Sequence, residues 1–330
     1  MGWFHRRGHN NTGFSKPGRG FFVVDLQDGD ILWSFTQGAF DTSTTSATMF
    51  SPIPAPPAIV DTDNDGFVET AYIGDLGGNI WKIKFCTQAQ GNGCDKSQWT
   101  GSQFFKGDKD NPIYTGPSVG RDSGAIWVFW GTGDKENPVR SDKHDYFFAV
   151  KDDNGSGPYD KGNLENLDYS VYIGQSGKHG WYIPLDNGEK VLADSAVFGG
   201  MITWTTFTPG SSNLCIIKGT SKLYAVAMMP IVIGGVTYQI GAGLFATSTG
   251  DVPGTRSIDL GPGIAQVPVF SQKPDGNGAT DAYITTGGGQ GTDSAIVSAA
   301  SLANSPFKRR LQDTGLSTQF LHWWDQRVEP

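Results

Sequence analysis

The stretch DTDNDGFVETAYIGDLGGNIWKIKF, residues Asp61–Phe85, holds the unit from which the rest of the chain can be read. Its second part, Thr70–Phe85, is two runs rich in aromatic and β-branched residues on either side of Gly77-Gly78. Such runs across a glycine turn signal an antiparallel hairpin, because tight hairpin turns need the positive φ that glycine reaches without strain. The design recurs along the chain. GFFVVDL (Gly20–Leu26) and DILWSF (Asp30–Phe35) meet at Gln27-Asp28-Gly29. GAIWVFWGTG (Gly124–Gly133) is followed by DYFFAVKDD (Asp145–Asp153), and KVLADSAVFGGMITWTTFTP (Lys190–Pro209) by GTSKLYAVAMM (Gly219–Met229). GIAQVPVFSQ (Gly263–Gln272) and DAYITTGGG (Asp281–Gly289) close the series. Helical periodicity is scarce. Ser294–Leu302 reads equally as a short helix or a strand.

A unit of roughly 45–55 residues, built of short strands and glycine turns, points to a repeated all-β array. Many strands are continuous apolar runs and do not alternate, which fits sheets covered on both faces. Radially stacked four-stranded sheets meet that condition. About five or six blade-like units can be counted, with loops of uneven length. The fold class expected is therefore all-β: an irregular, quinoprotein-like β-propeller of roughly six or seven blades. Residues 1–17 read as an irregular lead-in and residues 18–330 as the propeller.

Composition narrows the function classes. Of 330 residues 46 are Gly, aromatics make up 12% and charged residues 18%, which is too aromatic and too weakly charged for a disordered chain. The net charge is −8, so the chain lacks the basic stripe of a nucleic-acid binder; Lys308-Arg309-Arg310 and Arg6-Arg7 read as solvated loop charge. The longest apolar run, Leu223 to Val236, is broken by Pro230 and Gly234, so no membrane span is expected. The first residues contain two arginines but no apolar core of a secretory signal. The Gly-, Asn-, Thr- and Trp-rich composition still suggests an extracytoplasmic protein, with an export signal expected upstream of this chain.

Cys86 and Cys94 flank the polar loop CTQAQGNGC directly after a strand, and a disulfide across so short a loop is the preferred reading. Cys215 is left over, and three reduced thiols are the alternative. No histidine or cysteine pair stands at zinc-ligand spacing.

The one sharp chemical motif is Asp61–Glu69. Oxygen-bearing side chains stand at its positions 1, 3, 5 and 9 (Asp61, Asp63, Asp65, Glu69), Gly66 at position 6, and Phe67 at position 7, where a loop of this kind offers a backbone carbonyl. Hard cations such as Ca2+ take six to eight oxygen ligands, and alternate acidic residues turning at a glycine can supply them. Four carboxylates in so short a stretch repel one another unless a cation sits among them. Position 12 is Tyr72 and the flanks are strands, so this is not an EF-hand. The same residues would also make a solvated, Asx-rich turn. A weaker echo, Asp275, Asn277 and Asp281, has Lys273 where the first ligand would stand and reads as a degenerate repeat without metal.

Four segments carry a family resemblance: GRGFFVVDLQDGDILWSF, DTDNDGFVETAYIGDLGGNIWKIKF, WVFWGTGDKENPVRSDKHDYFFAVKDD, and VLADSAVFGGMITWTTFTP with CIIKGTSKLYAV. Together they span about Gly18 to Val226 and are similar, in order, to the C-terminal β-propeller of PilY-type proteins, the tip-associated adhesins and assembly factors of type IV pili. The resemblance implies one calcium held by Asp61, Asp63, Asp65, the Phe67 carbonyl and Glu69. The family often has Asp at the ninth position, so Glu69 lengthens that arm by one methylene. It further implies a non-enzymatic role in pilus assembly, motility and surface attachment, with minor pilins of the pilus tip and a host or abiotic surface as partners, and a cell-surface location.

Two other function classes are compatible with a propeller. A quinoprotein dehydrogenase would bind pyrroloquinoline quinone with a calcium on the propeller axis, whereas Asp61–Glu69 lies in one continuous loop. A glycan-binding propeller would use exposed tryptophans, with Trp323-Trp324 and Trp127/Trp130 as candidates against the simpler reading that they are core. No hydrolase elbow, HExxH or phosphate loop occurs, the Gly287–Gly291 run reads as a turn, and the scattered histidines (His144 among them) carry no assignment.

Overall fold

The computed structural model describes residues 18–36, 49–86, 94–153, 157–210, 219–233, 235–245, 254–272, 280–287 and 296–297. These residues form an all-β protein whose sheets follow one another in chain order. The first is a hairpin of β1 (Gly20–Val24) and β2 (Ile31–Thr36). The second is a four-stranded meander of β3 (Ala58–Val60), β4 (Thr70–Gly74), β5 (Ile80–Lys84) and β6 (Thr100–Phe105).

The third sheet contains β7 (Ser118–Asp122), β8 (Ala125–Gly131), β9 (Tyr146–Asp152), β10 (Glu165–Asn166) and β11 (Gly180–Pro184), in the order β10-β11-β9-β8-β7. The fourth is β12 (Ala196–Phe198), β13 (Met201–Pro209), β14 (Gly219–Ala227) and, after an intervening hairpin of β15 (Ile231–Ile233) and β16 (Val236–Tyr238), β17 (Ser257–Pro262). A last group joins β18 (Ile264–Ala265), β19 (Val269–Gln272), β20 (Thr280–Gly287) and β21 (Ile296–Val297). The pair β10–β11 is parallel, and the other strand pairs between these elements are antiparallel. Helical structure among the described residues is two single 3-10 turns, Lys96–Gln98 and Lys161–Asn163.

The core explains the continuous apolar runs. Alternate residues of one strand face alternate sheets, because side chains of a strand point up and down in turn. On β8, Val128 and Trp130 pack towards the second sheet with Tyr72, Ile80 and Phe105. Their neighbours Trp127 and Phe129 pack towards the fourth with Ile202, Trp204 and Val226. On β14, Tyr224 and Val226, with Met228 just past its end, face the third sheet, while Leu223, Ala225 and Ala227 face the last group. The hairpin β1–β2 covers the far side of the second sheet, with Phe21, Trp33 and Phe35 against Trp81, Ile83 and Phe85. Each of the second, third and fourth sheets is thus covered on both faces, and the stacking is sealed by ring pairs such as Phe147–Trp204, 3.7 Å apart and nearly parallel.

Several sequence expectations find their place. Gly77-Gly78 forms the β4–β5 turn, with Gly78 at φ 78°. Cys86 and Cys94 are disulfide-bonded, 5.5 Å between Cα atoms, and tie the end of β5 to the approach to β6; Cys215 lies outside the described residues. The Lys190–Pro209 run is divided into β12 and β13 by Gly199 and Gly200, both at positive φ. Trp127 and Trp130 are 2% and 0% exposed, so they are core and not stacking platforms for a glycan. Of Ser294–Leu302, Ile296 and Val297 form a strand, and the rest lies outside the described residues, as do Trp323-Trp324, Asp275, Asn277 and residues 1–17. No helix among the described residues is long and apolar enough to cross a membrane.

Candidate metal centre

The loop Asp61–Glu69 joins β3 to β4 at one end of the second sheet. Its base is fixed by the ladder. The Glu69 N–H donates to the Val60 carbonyl (3.1 Å), and the Phe85 N–H donates to the Glu69 carbonyl (2.8 Å). Glu69 therefore sits between β3 and β5 as an extension of β4 and is only 5% exposed. Its side chain cannot swing freely to solvent, unlike a carboxylate at a loop tip.

The tip is closed by its own carboxylates. Asp61 accepts from the backbone N–H of Asn64 (2.6 Å), Gly66 (2.8 Å) and Asp65 (3.3 Å). Asp63 accepts from Asp65 N–H (3.2 Å), and Asp65 from Phe67 N–H (2.8 Å). These are the local Asx bonds that favour Asp in turns. The backbone turns through left-handed conformations at Asn64 (φ 69°) and Gly66 (φ 91°). Asn and Gly are the residue types that adopt them most readily. A Cβ added at Gly66 would meet nothing within 4 Å, so the requirement there is torsional and not one of space.

The result is convergence. One carboxylate oxygen from each of Asp61, Asp63, Asp65 and Glu69 lies within 4.8 Å of all the others. At such spacing each pair of unit charges costs about 1 kcal/mol even in bulk water, and more where a low-dielectric wall replaces solvent. Glu69 Oε2 is held by the Thr62 N–H and by the Thr62 hydroxyl (2.9 Å). Glu69 Oε1 is buried and has no hydrogen-bond partner. A buried carboxylate oxygen without a donor is costly, and a cation is the partner that removes the cost. The donor set is all oxygen and all anionic, which suits a hard cation. The cluster can therefore hold a metal ion.

Of the residues expected from the sequence, four are brought together as side-chain donors. Phe67 supplies no side-chain ligand, and its ring is 57% exposed. Tyr72, at the position where an EF-hand would have its last ligand, is buried in β4 and donates its hydroxyl to Asp152 across the sheet interface. Lys82 also donates to Asp152. Burial, then the Asp152 charge, pushes the Tyr72 hydroxyl far up, while burial pulls the Lys82 ammonium down against the opposing pull of Asp152.

Two contacts escape a reading of Asp61–Glu69 alone. Thr62 grips Glu69 through both its N–H and its hydroxyl, and the Thr62 carbonyl accepts from the Arg121 guanidinium. The Thr was present in the motif, at a position the ligand pattern leaves undefined. Arg121 belongs to the third sheet, and nothing in the spacing of the loop announces it.

The other buried acids are engaged. Glu189 accepts from Thr206, Tyr224 and Lys222. Asp145 accepts from Thr132 (2.8 Å) and Asn111 (3.2 Å), with burial pushing its carboxyl up. A cleft of about 1220 Å³ opens at the β10 edge of the third sheet, and none of its walls belongs to Asp61–Glu69. Its Glu165 carboxylate is taken by the N–H groups of Ile173 and Gln175.

Comparison with known proteins places this fold. No family model matches the chain. Two proteins of Xylella fastidiosa (strain Temecula1 / ATCC 700964), each described as a type IV pilus biogenesis factor PilY1 homolog, are similar in sequence. One is 25% identical over 221 residues, covering 51% of this chain and 14% of the relative. The other is 23% identical over 256 residues, covering 68% and 20%. The chain thus spans a fifth or less of the length of these relatives. Among solved structures, the crystal structure of the Pseudomonas aeruginosa PilY1 C-terminal domain superposes with a TM-score of 0.54 at 15% identity, over 81% of this chain and 65% of that one. The resemblance carried by the four sequence segments is found in both comparisons: the chain is similar to the PilY-type C-terminal domain, and the shared fold is all-β.

Proposed function

We propose that this chain is the calcium-binding β-propeller of a type IV pilus biogenesis and adhesion protein, acting by binding and assembly and not by catalysis. The observation that carries the calcium reading is the buried, unpartnered Oε1 of Glu69, a residue whose carboxylate clusters with those of three aspartates. Asp61, Asp63, Asp65 and Glu69 would hold the ion, with the Phe67 carbonyl completing the set. When bound, calcium supplies positive charge that cancels the repulsion among these carboxylates. Glu69 anchors the loop to β3 and β5 through its backbone, so order at the loop is order at the start of β4.

Successive sheets covered on both faces support closure into a propeller, which we propose has roughly six or seven blades. The pilus role rests on the PilY1 homologues, and the partners it implies are minor pilins of the pilus tip and a host or abiotic surface. The disulfide Cys86–Cys94 supports an extracytoplasmic, pilus-associated location, since such bonds persist in oxidising compartments. A cation held within one hairpin loop favours a structural, regulatory ion over the axial ion of a quinoprotein dehydrogenase. Loop order biased by calcium would modulate pilus extension and retraction through the surface that the propeller offers its partners.

Calorimetric titration of the chain with calcium, beside Asp65→Ala, tests this reading. Saturable binding near one site per chain, lost in the variant, is the expected result. Absence of binding at millimolar calcium would reduce the loop to a solvated turn.

A further inference from the structure

The cation loop belongs to the second sheet, but its organising residue is held from the third. Thr62 donates from both N–H and hydroxyl to Glu69 Oε2, which leaves Oε1 as the free oxygen of that carboxylate. The carbonyl of the same Thr62 accepts from Arg121. Arg121 lies on β7, one residue from the end of a strand that pairs tightly with β8 (Arg121↔Ile126, Asp122↔Ala125). The turn between them, Ser123-Gly124, has both residues at positive φ, as a two-residue hairpin turn requires. β3 and β7 are neighbours across the interface between the two sheets. A continuous set of contacts therefore runs from the β7–β8 hairpin through Arg121 and Thr62 to the one loop carboxylate that is buried.

We propose that Arg121 is a positioning residue for the cation site, acting through Thr62 on Glu69, so that cation occupancy and docking of the β7–β8 hairpin onto the loop favour one another. The proposal rests on the calcium reading above and adds a direction to it: the ion braces the joint between two sheets, beyond its own hairpin. Equilibrium coupling is reciprocal, so whatever the hairpin does for the ion the ion does for the hairpin. Electrostatics alone predicts the opposite sign. Removing a guanidinium near four carboxylates would strengthen the attraction for a cation, and this long-range part is suppressed at about 1 M salt, where the Debye length is about 3 Å. The two effects are therefore separable by experiment.

The test is calcium titration of the whole chain, as wild type, Arg121→Ala, Arg121→Lys and Thr62→Val, at low and high salt, with amide exchange of residues 119–128 measured in calcium and in EDTA. Arg121→Ala is expected to weaken calcium binding at least about fivefold at high salt, the lower end of ordinary coupling energies. Arg121→Lys, which can still donate to the carbonyl, should recover part of the loss. Calcium should slow exchange in the hairpin of the wild type and not of Arg121→Ala. Thr62→Val removes the hydroxyl half of the grip on Glu69 and leaves both backbone contacts in place, so it should reproduce both effects in part, which keeps the test alive should Arg121→Ala not fold. Binding by Arg121→Ala that equals or exceeds wild type at high salt, or hairpin exchange that ignores calcium in the wild type, would overturn the proposal while leaving the cation site standing. A wild type that takes up no calcium at all would overturn both.

Discussion

β4 begins and ends in an acidic, glycine-containing turn, and the two turns treat their carboxylates in opposite ways. At its far end, Asp75 is 0% exposed, and every demand of its charge is met by the protein. It accepts from Gly77 N–H (2.8 Å), Asn79 N–H (3.0 Å), the Asn79 amide on both oxygens (3.1 Å each) and the Trp81 indole (2.7 Å). At its near end, four carboxylates converge and the buried one keeps an oxygen with no donor. A buried acid surrounded by donors is architecture; a buried acid surrounded by other acids is half of a site. Local sequence shows Asp and Gly in both turns and differs in the number of acids; the donors decide which charge is satisfied.

The two turns should differ most in their response to loss of Asp75. Asp75→Ala would strand several donors in the β4–β5 turn, each worth about 1–3 kcal/mol when buried and unsatisfied. A loss of about 3 kcal/mol or more is expected in urea unfolding, the same in calcium and in EDTA. A loss that calcium rescues would mean that the two turns are not distinct in kind.

Next in size is the calcium effect itself. Calcium at a hundred times its Kd should stabilise the wild type by about 2.7 kcal/mol, as linkage requires of a ligand that binds only the folded chain. Asp65→Ala should show no such gain, and EDTA should bring the wild type down to its uncalcified stability. Gly66→Ala should cost about 1–2 kcal/mol in EDTA, from the left-handed φ alone, since nothing crowds the new methyl. A null effect there would show that the loop relaxes out of its turn when no cation is present. The smallest effect is expected for Glu69→Gln. It removes one of four mutually repelling charges and should raise stability in EDTA by about 1 kcal/mol or less while abolishing the response to calcium. Destabilisation in EDTA would instead mark Glu69 as a second Asp75, structural in its own right.

Much of the fold was legible because doubly covered strands leave a strong trace: Ile126–Trp130 and Phe147–Val150 are uninterrupted apolar runs because two different sheets each take every second residue. The weaker strands had no such trace. β7 reads SVGRD and β17 reads SIDLGP, outer or short strands with polar and glycine positions that resemble loops. The parallel addition of β10 to the third sheet is decided by two residues, Glu165 and Asn166, beside Trp181 and Tyr182. No local pattern reports a pairing so short and so distant. The convergence of four acids was legible, since positions 1, 3, 5 and 9 are fixed by the geometry of a single loop, and the contacts that support them were not.

By itself the sequence determined what depends on neighbours along the chain: the hairpins at Asp28-Gly29 and Gly77-Gly78, the disulfide across a short loop, and the acidic loop that turns at Gly66. Those features follow from backbone torsion and local spacing, which a few consecutive residues settle. The tertiary structure alone decided which carboxylates keep their charge satisfied and which do not. It buried Trp127 and Trp130, gave Asp75 its donors, left Glu69 Oε1 without one, and brought Arg121 to the Thr62 carbonyl. Burial and long-range donors depend on the order in which sheets stack, and that order joins residues far apart in sequence.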